Sequence, residues 1–349
     1  MSTGHKAEEF SSKRQISDER IRATRQSHPA TEQEHAPNQG ASERREEQGR
    51  NLRAVGMIGL ATMLSRILGL IREMLLMALF PRVATDAYCV AFRLPNLFRR
   101  LLAEGILSAA FIPVFSRLRM ESDEARSRAW GAIFSLFVGV LLGVTLLGMW
   151  VAPWLVRIFA PGFLLDARYE LAVQLTRVMF PFLFLVGTTS FFMALLNTFR
   201  HFTVPALGPV CLNIGVILCA LCLRSLFPKN TEIFSMAVGV LVGGVAQLSL
   251  QWWMTHRMNI RMVWNFWPTH GANREIVSLM MPTLLGMGVY QLNVMIASIF
   301  ASYLPRGDVS LLNNSERLME LPLGVIAVTF ATVSLPALSA HAERQDWGA

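Results

Sequence analysis

Eight long apolar stretches run through this 349-residue sequence and limit what it can fold into. Each is long enough for a helix to cross the hydrocarbon core of a bilayer, which takes about 20 residues. The apolar content of 53% and the mean hydropathy of +0.41 are typical of an integral membrane protein. The predicted fold is an all-α, polytopic membrane helix bundle. The predicted spans are residues 54–80, 86–116, 129–156, 172–198, 203–226, 233–255, 275–303 and 308–338.

The first 50 residues differ from the rest of the chain. They hold nine basic and nine acidic side chains and show no sustained apolar periodicity, so we predict a disordered polar tail over residues 1–50. The other residues carry 23 of the 32 Lys and Arg and 15 of the 24 Asp and Glu. The whole net charge of +8 therefore lies in the apolar part.

The distribution of Lys and Arg around the spans predicts the orientation. Thirteen flank the spans on the side of the N-terminus and six flank them on the opposite side. Because cytoplasmic loops are enriched in Lys and Arg, we expect the N-terminus in the cytoplasm. Tryptophans at span ends suit the two membrane interfaces: Trp150, Trp154, Trp252 and Trp253.

Composition and motifs exclude several functional classes. The pI of 9.9 does not indicate nucleic-acid binding, because the basic residues are spread among apolar helices without a basic and aromatic strip. The sequence has no HExxH motif, no GxSxG motif and no phosphate-binding loop. We therefore predict no catalytic residues, no metal site and no cofactor.

The informative residues are ionisable ones inside the spans. A mid-membrane arginine costs roughly 2.5–3.5 kcal/mol even on the lenient insertion scale, so these residues should face protein or water rather than lipid. The set comprises seven cations and four anions: Arg66, Arg72, Arg93, Arg99, Arg100, Arg177, Arg317, Glu73, Glu104, Glu316 and Glu320.

Helical spacing places many of these side chains on shared faces. One interpretation is internal ion pairing, which suits Arg66 with Glu73 and Arg100 with Glu104. Pairing leaves three cations over, and arginine grips phosphate oxygens in a planar, bidentate way. The surplus therefore favours a chamber for a phosphate-bearing anion. The stripes are Arg93, Asn96, Arg100 and Glu104 on the second span, and Ser310, Arg317 and Glu320 on the eighth.

Glycine motifs predict where helices pack closely, and prolines predict where spans are interrupted. We expect Gly139-x-x-x-Gly143 and Gly239-x-x-x-Gly243 to allow close helix packing. Prolines that should break or interrupt spans are Pro95, Pro113, Pro181, Pro282 and Pro322.

Several motifs resemble the MurJ (MviN) family of lipid II flippases, from about residue 51 onward. The most specific is the motif of the second span, residues 92–105. The segments that carry the resemblance are Ser65–Glu73, Ala84–Tyr88, Phe92–Gly105, Ala110–Val114, Ala152–Trp154, Ala160–Phe163, Leu196–Phe199 and Glu316–Pro322.

The resemblance implies a fold and a substrate. The fold is that of the multidrug/oligosaccharidyl-lipid/polysaccharide exporter superfamily, with two six-helix lobes around a central cavity. The implied substrate and partner is lipid II, the undecaprenyl-diphosphate-linked glycopeptide, flipped from the inner to the outer leaflet by alternating access for peptidoglycan synthesis. Membrane lipids and cell-wall synthesis proteins are further implied partners, in the bacterial cytoplasmic membrane.

The resemblance also assigns roles to residues. The implied substrate-binding set is Arg66, Arg72, Arg99 and Arg317, together with Glu73, where the family usually has Asp. The gate or counter-charge set contains Asp86 and Glu320 from the resemblance and four residues noted above: Asn96, Arg100, Glu104 and Ser310.

A weak internal repeat with a period near 220 residues predicts the domain organisation. Residues 51–258 form a six-helix lobe and residues 259–349 begin a second one. The family has fourteen helices and this sequence eight, so we expect a truncated product. Two alternatives remain open, an exporter of another polyprenyl-linked glycan and a non-transporting scaffold. A drug exporter fits less well, since its cavity should be lined by acids and aromatics.

Overall fold

The computed structural model describes residues 37–100, 111–118, 120–260, 262–263, 271–319 and 322. The chain divides into two compact units, Met1–Arg53 and Ala54–Ala349. Within the described residues the regular secondary structure is helical. The chain is thus a helical bundle, as the apolar spans predict.

The first half of the second unit contains short and long helices. They are α1 (Pro37–Leu79, which begins in the first unit), α2 (Arg82–Arg99), α3 (Ile112–Leu118), α4 (Asp123–Trp150), α5 (Ala152–Phe159), the 3₁₀ turn Pro161–Leu165, α6 (Arg168–Met179) and α7 (Pro181–Thr198).

The remaining helices follow after short connections. They are α8 (Thr203–Cys222), the 3₁₀ turn Arg224–Leu226, α9 (Phe234–Arg257), α10 (Gly271–Ser302) and α11 (308–319).

Four described helical segments are long and apolar enough to cross a membrane: Asp123–Trp150, Arg168–Thr198, Thr203–Cys222 and Phe234–Arg257. The four tryptophans predicted at the interfaces are exposed at helix ends. Helices α1 and α2 carry five of the nine ionisable residues predicted inside the spans that the structure describes. The chain is a multi-pass membrane protein.

The structure changes several predicted boundaries. Helix α1 begins at Pro37, so residues 37–50 are helical where the sequence predicts disorder. This stretch is rich in Glu, Arg and Gln, which favour helix, and Glu46 and Arg50 have the i, i+4 spacing of a stabilising pair. The first 36 residues lie outside the described residues.

Proline acts differently at different positions. Pro181 begins α7 directly after α6 ends, which confirms the predicted interruption there. A proline at the first helical position loses no intrahelical hydrogen bond, so it restarts a helix readily. Helices α2 and α10 continue through Pro95 and Pro282, so the predicted breaks at those two positions are wrong.

The two glycine motifs also differ. A Cβ on Gly243 would lie 2.7 Å from Leu212 Cα, and one on Gly239 would lie 2.7 Å from Val216 Cα. Helices α8 and α9 therefore pack closely along this motif, as predicted. A Cβ on Gly139 or Gly143 would meet no described atom within 4 Å, so none of the described residues packs closely against that pair.

Two apolar cores hold the bundle. The larger packs residues from α1, α2, α5 to α9 and the start of α11, and its fully buried members include Tyr88, Phe163 and Phe182. The smaller contains what we call the aromatic cluster, whose rings contact one another mostly edge to face or tilted, with Phe137 stacked on Phe191. The aromatic cluster is Phe111, Phe115, Trp130, Phe134, Phe137, Phe191 and Phe192.

Candidate functional site

Asp86, in the first turns of α2, reaches the start of α11. Its side chain is 0% exposed. Its carboxylate accepts hydrogen bonds from the backbone N–H of Gly307 at 2.7 Å and of Ser310 at 3.0 Å. The first N–H groups of a helix have no partner within the helix, and the helix dipole favours a negative charge there. Asp86 therefore caps α11 from a different helix.

Arg168 completes this arrangement from the start of α6. Its Nη1 lies 3.4 Å from Asp86 Oδ2 and donates at 3.4 Å to the carbonyl oxygen of Leu304. Its Nε bonds both carboxylate oxygens of Asp166, at 2.8 and 3.1 Å. Asp166 also lies 3.5 Å from the Nε of Arg306. Two carboxylates and two guanidinium groups thus balance in charge, as buried ions require.

Hydroxyl groups add to the same junction. Ser310 Oγ lies 3.1 Å from Thr85 Oγ1 and donates to the carbonyl oxygen of Gly307 at 2.8 Å. We call Asp86, Arg168, Gly307 and Ser310 the Asp86 clamp. The clamp joins α2 and α6 to the turn between α10 and α11, so two predicted gate residues, Asp86 and Ser310, lie in direct contact.

Arg72 and Glu73 form a second buried group, on α1. Arg72 Nη2 donates to Glu73 Oε1 at 2.5 Å, and its Nη1 donates to Asn213 Oδ1 at 3.1 Å. The guanidinium also lies over the ring of Phe92, 5.3 Å from its centre. Asn213 in turn donates to the carbonyl oxygen of Ser65 at 3.0 Å. Asn213 therefore fastens α1 to α8, and Glu73 has Arg72 as a partner.

Arg93 links α2 to the last two described helices. Its Nη1 donates to Ser298 Oγ on α10 at 3.0 Å, and its Nη2 lies 4.0 Å from Glu316 Oε2 on α11. The Glu316 side chain is 51% exposed. This Arg93 bridge lies two turns along α2 from the Asp86 clamp and connects the same helices.

Comparisons with known proteins identify the family to which this bundle belongs. The profile of the family described as "MurJ: Lipid II flippase MurJ" matches residues 76–349. The chain belongs to the MurJ family.

Relatives support the membership. A probable lipid II flippase MurJ of Bdellovibrio bacteriovorus is 39% identical over 312 residues, covering 87% of this chain and 58% of the relative. The lipid II flippase MurJ of Burkholderia cenocepacia is 33% identical over 303 residues, covering 82% of this chain and 58% of the relative. The chain thus spans less than two thirds of the length of these MurJ proteins.

Solved structures agree on the fold. A structure titled "Lipid II flippase MurJ, inward closed conformation" matches with a TM-score of 0.69 and 27% identity, covering 82% of this chain and 59% of that one. A transporter of the MOP superfamily from Pyrococcus furiosus matches with a TM-score of 0.58 and 16% identity, covering 79% and 62%. The second match concerns the fold alone.

The other residues predicted by helical spacing or by the MurJ resemblance lie in or next to α1, α2, α6 and α11, or outside the described residues. Arg99 Nε donates to Asn96 Oδ1 at 3.0 Å, and Asn96 Nδ2 donates to the carbonyl oxygen of Phe92 at 3.0 Å. Arg66 on α1, Arg100 after α2 and Arg317 on α11 are half-buried. Glu104 and Glu320 lie outside the described residues. Arg177 is exposed on α6.

Sequence reasoning missed two residues of this MurJ chain that the geometry singles out. Arg168 counts in the sequence only as a basic flank, although it follows Asp166 by two residues and closes the Ala160–Phe163 segment. Asn213 is the one amide side chain in α8, a helix that is otherwise apolar apart from Thr203. A single amide in an apolar span is a signal for an interhelical contact.

Proposed function

We propose that this chain takes part in moving lipid II from the inner to the outer leaflet of the bacterial cytoplasmic membrane. The observation that carries the proposal is an arginine surplus within a helical bundle of the MurJ family. Arginine suits a diphosphate, since its planar fork forms paired hydrogen bonds with phosphate oxygens. The proposal includes no covalent step, because flipping requires only states that bind the head group differently.

The arginines divide into two groups by burial. Arg66, Arg99 and Arg317 are half-buried on three different helices, which suits side chains that reach a head group. Arg72 is 6% exposed and its hydrogen bonds run to Glu73 and Asn213. We assign substrate contact to the first group, and to Arg72 and Glu73 the role of holding α1 in place.

The Asp86 clamp then acts as the gate on the outer side of the membrane. In this proposal residues 51–258 and 259–349 belong to two lobes that rock against each other, and the N-terminus lies in the cytoplasm. Opening exposes a carboxylate, guanidinium groups and backbone N–H groups, all of which water can solvate. A polar junction of this kind separates at lower cost than an apolar one of the same area.

The test replaces Arg99 and Arg317 by Ala, singly, in a strain that depends on this gene. We expect growth to fail and lipid II to stay in the inner leaflet, measured by its accessibility to an external lipid II-cleaving or labelling reagent. Arg128→Ala is the matched control, because Arg128 is exposed on α4 and pairs only with Glu124 at 3.6 Å among its described ion pairs. Membrane protein levels are measured in parallel.

Normal growth with unchanged outer-leaflet lipid II in both variants would overturn the proposal. Unchanged lipid II together with accumulation of another polyprenyl-linked glycan inside the cell would favour an exporter of that glycan. Growth that depends on the protein but not on either arginine would favour a scaffold.

A further inference from the structure

The segment 160–168 runs from the end of α5 to the first residue of α6, and only Arg168, as a member of the Asp86 clamp, has a role in the proposal above. Its first residues form a 3₁₀ turn, and Ala160, Gly162 and Phe163 are buried. The segment contacts α10, which belongs to the other proposed lobe. The segment joins two helices of one proposed lobe and contacts a helix of the other. Its contacts can therefore affect how the two lobes separate.

Gly162 provides the closest approach. Its N–H donates to Ser302 Oγ at 3.0 Å, at the last residue of α10. A Cβ at this position would overlap the carbonyl oxygen of Ser302 and would lie 2.8 Å from the N of Tyr303. Only glycine lets the two backbones meet here. The end of α10 therefore docks on this segment by shape.

Arg168 provides the electrostatic part. Its guanidinium stacks on the Phe163 ring at 4.3 Å and is held by Asp166, so its direction is fixed from its own segment. Its free edge then points at Asp86 Oδ2 and at the carbonyl oxygen of Leu304. One side chain thus touches α2 and the turn that precedes α11 at the same time.

The charge balance shows why this contact matters. Without Arg168, Asp166 would keep Arg306, whose side chain is 60% exposed, whereas Asp86 would lose its one ion-pair partner among the described residues. A buried carboxylate that loses its cation becomes costly and gains from contact with water. Asp86 would then be more stable in an open, hydrated clamp than in the closed one.

We propose that Arg168 is a positioning residue of the Asp86 clamp, and that residues 160–168 form a docking platform for residues 302–307. Arg168 holds the Asp86 carboxylate toward the N-terminus of α11 and neutralises it, which stabilises the closed state. This inference rests on the proposed function in one respect, namely that the clamp opens during transport.

The experiment measures clamp opening directly, without lipid II. Val309, 2% exposed at the start of α11, is replaced by Cys as a reporter. Spheroplasts carrying the full chain are treated with a membrane-impermeant maleimide, and labelling is read peptide by peptide by mass spectrometry. The native Cys222 is exposed and reports reagent access, while the buried Cys89 reports unfolding.

We expect Arg168→Gln to raise the labelling rate of the reporter about tenfold, because a buried ion pair loses one partner. Arg168→Lys should give a smaller rise, since a lysine supplies the charge but not the fork that reaches both carboxylates. Gly162→Ala should also raise labelling while leaving every charge in place. Arg157→Gln is the matched control, because Arg157 is an exposed arginine on α5 that stacks on Trp154.

A double-mutant cycle separates positioning from simple packing. If Arg168 acts through Asp86, then Arg168→Gln should add less than about twofold in an Asp86→Asn background. Equal labelling in the parent, Arg168→Gln and Gly162→Ala, with Cys89 protected, would overturn the inference. Full, independent effects of the two substitutions would overturn it as well.

The two proposals fail differently. If labelling responds as expected but the Arg99 and Arg317 variants transport normally, then the clamp inference stands and the proposed function fails. If the Arg99 and Arg317 variants lose transport while the Arg168 and Gly162 variants label at the parent rate, then the proposed function stands and only the docking-platform inference fails.

Discussion

Two junctions of this bundle are built from opposite chemistry. The aromatic cluster joins α3, α4 and α7 through rings, with Phe191 in contact with Phe115 at 5.4 Å and with Phe134 at 4.9 Å. The Asp86 clamp joins α2 and α6 to α10 and α11 through ions and N–H groups. When packed rings separate, they leave cavities. When ions and amides separate, each can replace its partner by water. In the transport cycle proposed above, the aromatic cluster is the permanent junction and the Asp86 clamp is the one that opens.

Replacing Phe191 by Ala should give the largest effect on this comparison. Phe191 is fully buried at the centre of the aromatic cluster, so its loss leaves a cavity worth about 3–5 kcal/mol of unfolding free energy. The measurement is unfolding in detergent, followed by helix content. The control is Phe202→Ala at an exposed position, which should cost under about 1 kcal/mol. A loss below that level at Phe191 would show that the cluster is not the permanent junction.

Asp86→Asn should come second and should act on opening rather than on unfolding. An amide cannot accept as strongly from two N–H groups and a guanidinium, so we expect a shift of about 2 kcal/mol, or about thirtyfold faster labelling of the Val309→Cys reporter. The unfolding midpoint in detergent should move little. If unfolding changes as much as labelling does, the clamp is part of the permanent framework and the comparison fails.

Asn213→Ala should have a smaller effect than Phe191→Ala or Asp86→Asn, and we expect it in the free energy of unfolding. The substitution leaves Arg72 Nη1 and the carbonyl oxygen of Ser65 without their shared partner, at a cost of about 1–2 kcal/mol of unfolding free energy. Asn230→Ala, in an exposed loop, is the control. Thermal unfolding in detergent measures both variants. Equal midpoints would mean that α1 is held at α8 by other contacts.

Glu316→Gln should give the smallest effect. The ion pair with Arg93 is 4.0 Å long and its acid is half-exposed, so it should contribute under about 1 kcal/mol. Labelling of the Val309→Cys reporter should rise about twofold to fivefold, and high salt should produce a similar rise in the parent. A change as large as that of Asp86→Asn would make the Arg93 bridge an equal part of the gate.

Sequence patterns predicted the bundle well because bilayer thickness imposes a length that composition alone reveals. Apolar runs predicted the helices, and four described helical segments are long and apolar enough to cross a membrane. The MurJ resemblance singled out Asp86 and helical spacing singled out Ser310, but neither predicted that these two residues meet. Continuous helix through Pro95 could not be predicted, since tertiary packing decides whether a proline interrupts a span. Helix spacing within one span could not identify Asn213 or Arg168, because Asn213 contacts α1, and Arg168 contacts Asp86 on α2 and Leu304 before α11.

The burial of Arg72 is a second case in which the local sequence does not show which residues of other helices surround a side chain. The MurJ resemblance implies contact of Arg72 with the substrate, but a buried cation can also be retained because an acid and an amide surround it. Which of these holds depends on α8, whose position is not encoded in the local sequence of α1. Arg66 and Arg317 are half-buried, so their residue type, their depth in the span and their exposure all favour contact with the substrate.

The cap that Asp86 places on α11 has a consequence for biogenesis. The first turn of α11 receives its partner from a residue 221 to 224 positions earlier in the chain. Contacts of such long range form late in folding, because the intervening chain must be ordered first. The clamp can therefore form only after both α2 and the start of α11 have been synthesised, which makes it a late contact in folding.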